Sequence, residues 1–148
     1  MKIEEIENIF RKIFLQNEEI IAAYLYGSFL YSDNYEDVDI GVLIHKNFKP
    51  NVMYEAELAG ILEHIFKDAN KGFKLFDVRI LNGKPLRFLF SMLKNSKIIH
   101  SKNDLERVKF ETKIIKEYLD FKPHHEMYDN MRRLRYADRV NKNIGIKK

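Results

Sequence analysis

Three aspartates carry the most chemical information in this sequence. Asp37 and Asp39 stand two apart in the segment Asp37-Val38-Asp39-Ile40-Gly41-Val42-Leu43-Ile44, and Asp77 stands in Phe76-Asp77-Val78-Arg79-Ile80. Side chains at i and i+2 of a strand share a face, so Asp37 and Asp39 project together while Val38, Ile40, Val42 and Ile44 take the other face. Two carboxylates on one face repel and raise each other's pKa. A cation relieves that conflict, and oxygen-only ligands suit Mg²⁺, which binds through carboxylates, water and substrate phosphates. An Asp-x-Asp by itself is equally the mark of two strand residues that face solvent. Asp77 is the one acidic residue of an apolar and basic stretch, and a charge there needs a partner. Arg79, two residues on and on the same face, is one candidate; a metal shared with Asp37 and Asp39 is the other.

Ahead of the aspartates lies Gly27-Ser28, at the end of the apolar run Ile20-Ile21-Ala22-Ala23-Tyr24-Leu25-Tyr26. A glycine at a strand end lets the backbone turn and lets a ligand approach closely. Backbone N–H groups and the Ser28 hydroxyl could cradle phosphate oxygens there, although Gly-Ser is also an ordinary turn. No histidine stands in register to act as base for Ser28, which argues against a covalent serine nucleophile. Three carboxylates holding two metals would serve an in-line displacement at phosphorus. One metal activates the attacking hydroxyl, and the other holds the triphosphate and its leaving pyrophosphate. Asp77, on the nucleophile side, could assist deprotonation.

The elements that must position these residues follow from periodicity. Ile3, Ile6, Ile9, Phe10, Ile13 and Phe14 recur at helical spacing over residues 2–16. Residues 20–26 and 38–44 read as strands. Residues 53–68 read as a helix with Leu58, Ile61, Leu62, Ile65 and Phe66 on one side, and Gly72 punctuates the chain before a third strand at 73–81. Asn82-Gly83-Lys84-Pro85 is a turn, Pro85 suits the start of a helix reaching about Lys94, and residues 97–100 form a short strand. Asn103 and Glu106 form a capping-box pattern that opens a helix to about Asp120. Pro123 is expected to interrupt it, and a last basic helix runs from about His125 to Val140. The expected fold is α/β, a small mixed sheet flanked by helices, in one domain over 1–148 with a core at 1–102 and a helical extension at 103–148.

Composition sets the outer bounds. With 45% hydrophobic and 13% aromatic residues in 148, the chain can build a core and is not a disordered segment. No apolar run is long enough to span a membrane. Cysteine is absent, so disulfides and thiolate metal sites are excluded. The N-terminus, MKIEEIENIF, is acidic and amphipathic and does not read as an export signal, so the expected compartment is the cytoplasm. The net charge of +4 is unevenly spread: residues 107–148 carry twelve Lys and Arg against six Asp and Glu. That basic end could meet nucleic acid or an acidic protein, or be a solvated helix. Arg132, Arg135 and Arg139 share a helical face with Arg133 beside them, while Met127, Met131, Leu134 and Tyr136 read as core or interface packing. His124-His125 reads as an exposed helix start. Tyr24, Tyr26, Tyr31 and Tyr35 cluster around Gly27-Ser28, where packing or stacking on a base would use them.

Gly27-Ser28, Asp37-Val38-Asp39 and the later Asp77 together resemble the polymerase-β-type nucleotidyltransferase superfamily. The downstream order narrows the likeness: Leu81-Asn82, a helix over 85–95, the short strand 97–100, and a long helix carrying Asp120-Phe121-Lys122-Pro123. That order is similar to the minimal nucleotidyltransferases, the MNT antitoxins paired with HEPN toxins. The resemblance implies transfer of AMP from ATP to a tyrosine hydroxyl of a HEPN-family RNase, which is thereby silenced. It implies that Gly27 and Ser28 contact phosphate and that Asp37, Asp39 and Asp77 hold Mg²⁺. Many relatives carry Ala-Arg-Gly soon after the Gly-Ser, where this chain has Leu30-Tyr31-Ser32, and the spacer before Asp37 is shorter here. Two other functions compete. One is a nucleotidyltransferase acting on RNA or a small-molecule hydroxyl, which the basic end favours but the absence of an aromatic single-strand platform does not. The other is an antitoxin that is catalytically idle and neutralises its partner by contact.

Overall fold

The computed structural model describes residues 3–31, 37–68 and 75–143, without the side chains of residues 3, 6, 68, 125, 128 and 136–143. Expectations at Ser32, Tyr35 and Gly72, and for the side chains of Tyr136 and Arg139, lie outside the described residues. The elements are α1 (Ile3–Gln16), β1 (Ile20–Tyr26), a 3₁₀ turn (Ser28–Leu30), β2 (Asp37–Ile44), α2 (Tyr54–Asp68), β3 (Leu75–Ile80), α3 (Leu86–Lys94), β4 (Lys97–Ser101) and α4 (Asp104–Asn143).

The strands form one mixed sheet in the order β3-β2-β1-β4. β1 runs antiparallel to both β2 and β4, while β2 and β3 are parallel. A parallel pair needs a crossover, and α2 supplies it. Alternation along the strands sorts the two faces. Ala23 and Leu25 of β1, Val38, Ile40, Val42 and Ile44 of β2, and Phe76 and Val78 of β3 bury against Phe10, Ile13 and Phe14 of α1 and Leu58, Leu62 and Phe66 of α2. Ala22, Tyr24 and Leu43 pack on the opposite face with Leu81, with Leu89 and Met92 of α3, and with Ile114 of α4. Gly41 belongs to this second face, and a Cβ there would stand 2.7 Å from Leu81 Cδ2, so any side chain would force Leu81 to shift where it closes over β2. Ile61, expected on the inner side of α2, is exposed, because the buried stripe follows Leu58, Leu62 and Phe66.

Polar side chains fix the registers. Asn82 accepts from the Ile44 N–H at 3.0 Å and donates to the Ile44 carbonyl at 2.8 Å, clamping the turn after β3 to the end of β2. Glu63 and Glu55 of α2 accept the Phe76 and Ile80 N–H groups of β3, an edge strand whose outer amides would otherwise lack partners. The Tyr24 hydroxyl donates to Glu111 at 2.8 Å, and Arg107 donates to the same carboxylate, docking α4 on the sheet.

Two expectations fail in α4. The helix runs unbroken from Asp104 to Asn143 with Pro123 inside it. Proline removes one backbone hydrogen bond and crowds the preceding turn. Helix-forming residues on both sides, with Lys122 and Glu126 paired across the gap at 3.9 Å, carry the helix through. His124 therefore sits in mid-helix and starts nothing. Met127, Met131 and Leu134, expected as core or interface packing, are 58%, 45% and 71% exposed, so the core half of that expectation does not hold.

Candidate active site

β2 enters the sheet at Asp37, so its two aspartates lie at the beginning of the strand, next to the end of β1. Tyr26 is the register partner of Asp39 on one side, and Asp77 is its partner on the other. Asp37 pairs with Leu75. Val38, Ile40, Phe76 and Val78 all bury on the α1/α2 face, so Asp37, Asp39 and Asp77 project on the other face, beyond the part that α3 and α4 cover. The three sequence-predicted carboxylates thus come to one end of one sheet face, on two neighbouring strands.

Gly27 completes this end. Its φ of 83° lies in the left-handed region, and a Cβ on it would stand 2.0 Å from Asp39 Oδ2. The backbone of β1 is therefore pressed against a carboxylate, an approach that glycine alone permits. Ser28 follows on an exposed position and opens the 3₁₀ turn, whose carbonyls at Gly27 and Ser28 accept from Leu30 and Tyr31.

The electrostatics match the crowding. Burial raises the Asp39 carboxyl above its usual range, and the negative charges of Asp77 and Asp37 raise it further, while Arg79 opposes. Arg79 donates toward Asp77 Oδ2 at 3.3 Å, and its guanidinium lies 5.8 Å from the centre of the Phe88 ring. Of the two partners that the sequence left open for Asp77, Arg79 is in direct contact, and Asp39, with which Asp77 would share a metal, is its register partner across the strand pair. Burial pushes Tyr26 up to about 12, with Arg79 opposing and Asp39 and Asp77 adding to the rise. Its hydroxyl is buried and lacks a hydrogen-bond partner. The sequence places Tyr26 among the tyrosines around Gly27-Ser28, as packing or a base-stacking ring, but not beside the aspartates. Strand alternation with Tyr24 gives its face, but only the pairing with Asp39 reveals where its hydroxyl ends up.

Among the described residues, no three His, Asp or Glu side chains already stand in a metal-holding arrangement. Asp77 is engaged by Arg79 instead. The donor set still fits a hard divalent cation. It is oxygen-only, it gathers like charges whose proximity raises Asp39, and it lies against a backbone stretch cleared of side chains at Gly27. A cavity of about 370 Å³ opens beside Gly27, walled by Tyr26, Tyr31, Phe88, Ser91, Met92 and Asn95. His124 and Arg135 lie on exposed stretches of α4, and Arg133 bonds Asn130 on its own helix. Among the described residues, no helix is long and apolar enough to cross a membrane.

Comparison with solved structures places the fold. A chain of the Shewanella oneidensis complex described as a tri-AMPylated HEPN toxin with MNT antitoxin superposes with a TM-score of 0.63 at 20% identity, covering 84% of this chain and 94% of that one. A second Shewanella oneidensis structure gives a TM-score of 0.65 at 17% identity, over 88% and 98%. A chain from a toxin–antitoxin structure with AMP-PNP gives 0.60 at 19% identity, over 84% and 97%. No curated protein sequence matches. Residues 4–105 match the family model described as polymerase beta, nucleotidyltransferase, a span that holds β1 through β4, Gly27-Ser28 and all three aspartates. This chain belongs to the polymerase beta nucleotidyltransferase family.

Proposed function

We infer that this protein transfers AMP from ATP to a tyrosine hydroxyl of a HEPN-family RNase toxin, in a Mg²⁺-dependent reaction that silences the toxin. The observation that carries this reading is the meeting of Asp37, Asp39 and Asp77 at one end of a sheet face, against Gly27. Two neighbours support the acceptor and the nucleotide: one solved complex contains a tri-AMPylated HEPN toxin, and another contains AMP-PNP.

In this reading the acceptor oxygen attacks the α-phosphorus, a P–O bond to the acceptor forms, and the P–O bond to the departing pyrophosphate breaks. Two Mg²⁺ ions on the carboxylates would supply charge neutralisation at the attacking and leaving oxygens. Asp37, Asp39 and Asp77 would hold those ions. Asp77, on the edge strand β3, would take the hydroxyl proton of the acceptor. Gly27 lets the triphosphate lie against the backbone, and the Ser28 N–H and hydroxyl contact its oxygens. The cavity beside Gly27, with Tyr31 and Phe88 in its walls, receives the nucleoside.

The test is incubation with ATP and MgCl₂ together with the product of the adjacent gene, followed by intact-mass analysis of both chains. A gain of whole AMP units on the partner, lost with Asp39→Ala, establishes the reaction. A stable complex with no mass gain would leave an antitoxin that acts by binding alone.

A further inference from the structure

We propose that Arg79 is the phosphate-binding cation of this site, held by Asp77 in the free protein and released to the triphosphate when a divalent cation takes that carboxylate. The proposal rests on the nucleotidyltransferase reading above and adds a residue and a coupling to it.

The charge inventory around the site makes Arg79 the candidate. Residues 20–45 contain no Lys or Arg at all, a stretch that includes β1, Gly27-Ser28, the 3₁₀ turn and β2. Three walls of the site therefore bring carboxylates and amides but no side-chain cation. A triphosphate placed beside three carboxylates stays net negative even with divalent cations bound, so a fourth wall has to supply positive charge. That wall is β3. Arg79 stands opposite Gly41, so no side chain of β2 rises between it and the open end of the sheet. Its side chain is 48% exposed and lies over Phe88, which also lines the cavity beside Gly27. Arg87, the next arginine along the chain, is committed elsewhere, 2.6 Å from Asp129 of α4.

Arg79 has two competing partners as a result. In the free protein it neutralises Asp77. A divalent cation on Asp77 takes over that neutralisation and leaves the guanidinium free to make charge-assisted hydrogen bonds to phosphate oxygens. Conversely, a nucleotide that draws Arg79 away exposes Asp77 to the metal. Metal and nucleotide then strengthen each other's binding by the same factor, as linkage requires. Arg79 opposes metal binding alone and favours the metal–nucleotide pair.

Opposite effects of one substitution test this. Mn²⁺ binding is measured by electron paramagnetic resonance with and without α,β-methylene-ATP, which cannot be transferred, for the wild type, Arg79→Met and Arg79→Lys. Arg79→Met should bind Mn²⁺ alone roughly two- to five-fold more tightly, the scale of a lost half-exposed ion pair. It should bind the analogue, at saturating Mn²⁺, about tenfold or more weakly. Arg79→Lys should recover part of the analogue affinity as a point charge. A merely structural role weakens both ligands together and overturns the proposal, as does an analogue affinity that Arg79→Met leaves unchanged. Wild-type protein that binds neither ligand overturns the nucleotidyltransferase reading and this proposal with it. Wild-type binding of both, with Arg79→Met indistinguishable, overturns this proposal alone.

Discussion

Replacing Asp39 by asparagine should stabilise the metal-free protein while abolishing nucleotidyl transfer. Asp39 and Asp77 are register partners on adjacent strands, and that spacing of ~4.8 Å sets the scale of their repulsion. Two unit charges at that separation cost about 1 kcal/mol in a water-like dielectric and about 3–4 kcal/mol at an effective dielectric near 20. Asp39 is only partly buried and Arg79 offsets some of the charge, so the lower figure applies, about 1 kcal/mol. Asparagine keeps the shape that fits against Gly27 and removes the charge. For a chain of this size the gain corresponds to about 2–4 °C in Tm. The sign follows from the raised carboxyl: the folded state holds the Asp39 proton more tightly than the unfolded state does. The stability this group contributes is therefore full below the unfolded pKa of about 3.9 and is lost as pH rises through the raised folded value. The advantage of Asp39→Asn should be greatest near pH 7.5 in EDTA and shrink as pH falls toward about 4. Urea unfolding at several pH values, repeated with MgCl₂, reads all of this. Added Mg²⁺ should raise the wild type and not the variant. A variant no more stable than wild type at pH 7.5, or equally advantaged at the acid end, would refute a repulsive carboxylate cluster.

Gly27→Ala should cost at least about 1–2 kcal/mol and remove nucleotide binding, since its Cβ meets Asp39 Oδ2 at 2.0 Å and its φ is 83°; a shifted urea midpoint with intact nucleotide affinity would count against the close approach. His100, buried beside Phe14, is held below its usual pKa by burial, with the charges of Lys102 and Arg11 adding to the fall. Stability should therefore fall as pH drops below about 6.5, by at most about 1.4 kcal/mol per pH unit, and His100→Gln should flatten that slope in the same urea series. Pro123→Ala should restore the hydrogen bond to the Leu119 carbonyl and slow amide exchange in residues 124–135 by an amount worth about 1–3 kcal/mol, with transfer activity unchanged.

Much of the fold was legible because it rests on local periodicity. β1 spans residues 20–26 as the apolar run foretold, β2 begins one residue earlier than expected, and α2 and α3 each start one residue later. Asn103 caps α4 as expected, its Oδ1 accepting the Glu106 N–H at 3.1 Å. The misreading at Pro123 has a physical cause. A local preference was read as an outcome, but the surroundings decide: Pro123 is carried by the helix around it.

For the candidate site, the sequence by itself determined that Asp37 and Asp39 share a face, because side-chain alternation is a property of any strand. It determined that Gly27 ends a strand and that residues 20–45 bring no cation. Only the tertiary structure decided that Asp77 would stand opposite Asp39, that Gly27 would press on Asp39 Oδ2, and that Asp77 would be held by Arg79 while Tyr26 hides its hydroxyl beside them. Those contacts depend on β3 lying parallel to β2 in one register. That register is set far from the aspartates, by two faces that must both be buried, by the room Gly41 leaves for Leu81, and by the Asn82 clamp on Ile44. Alternation is written in neighbouring residues, whereas strand register is a collective result of packing, which no short segment contains.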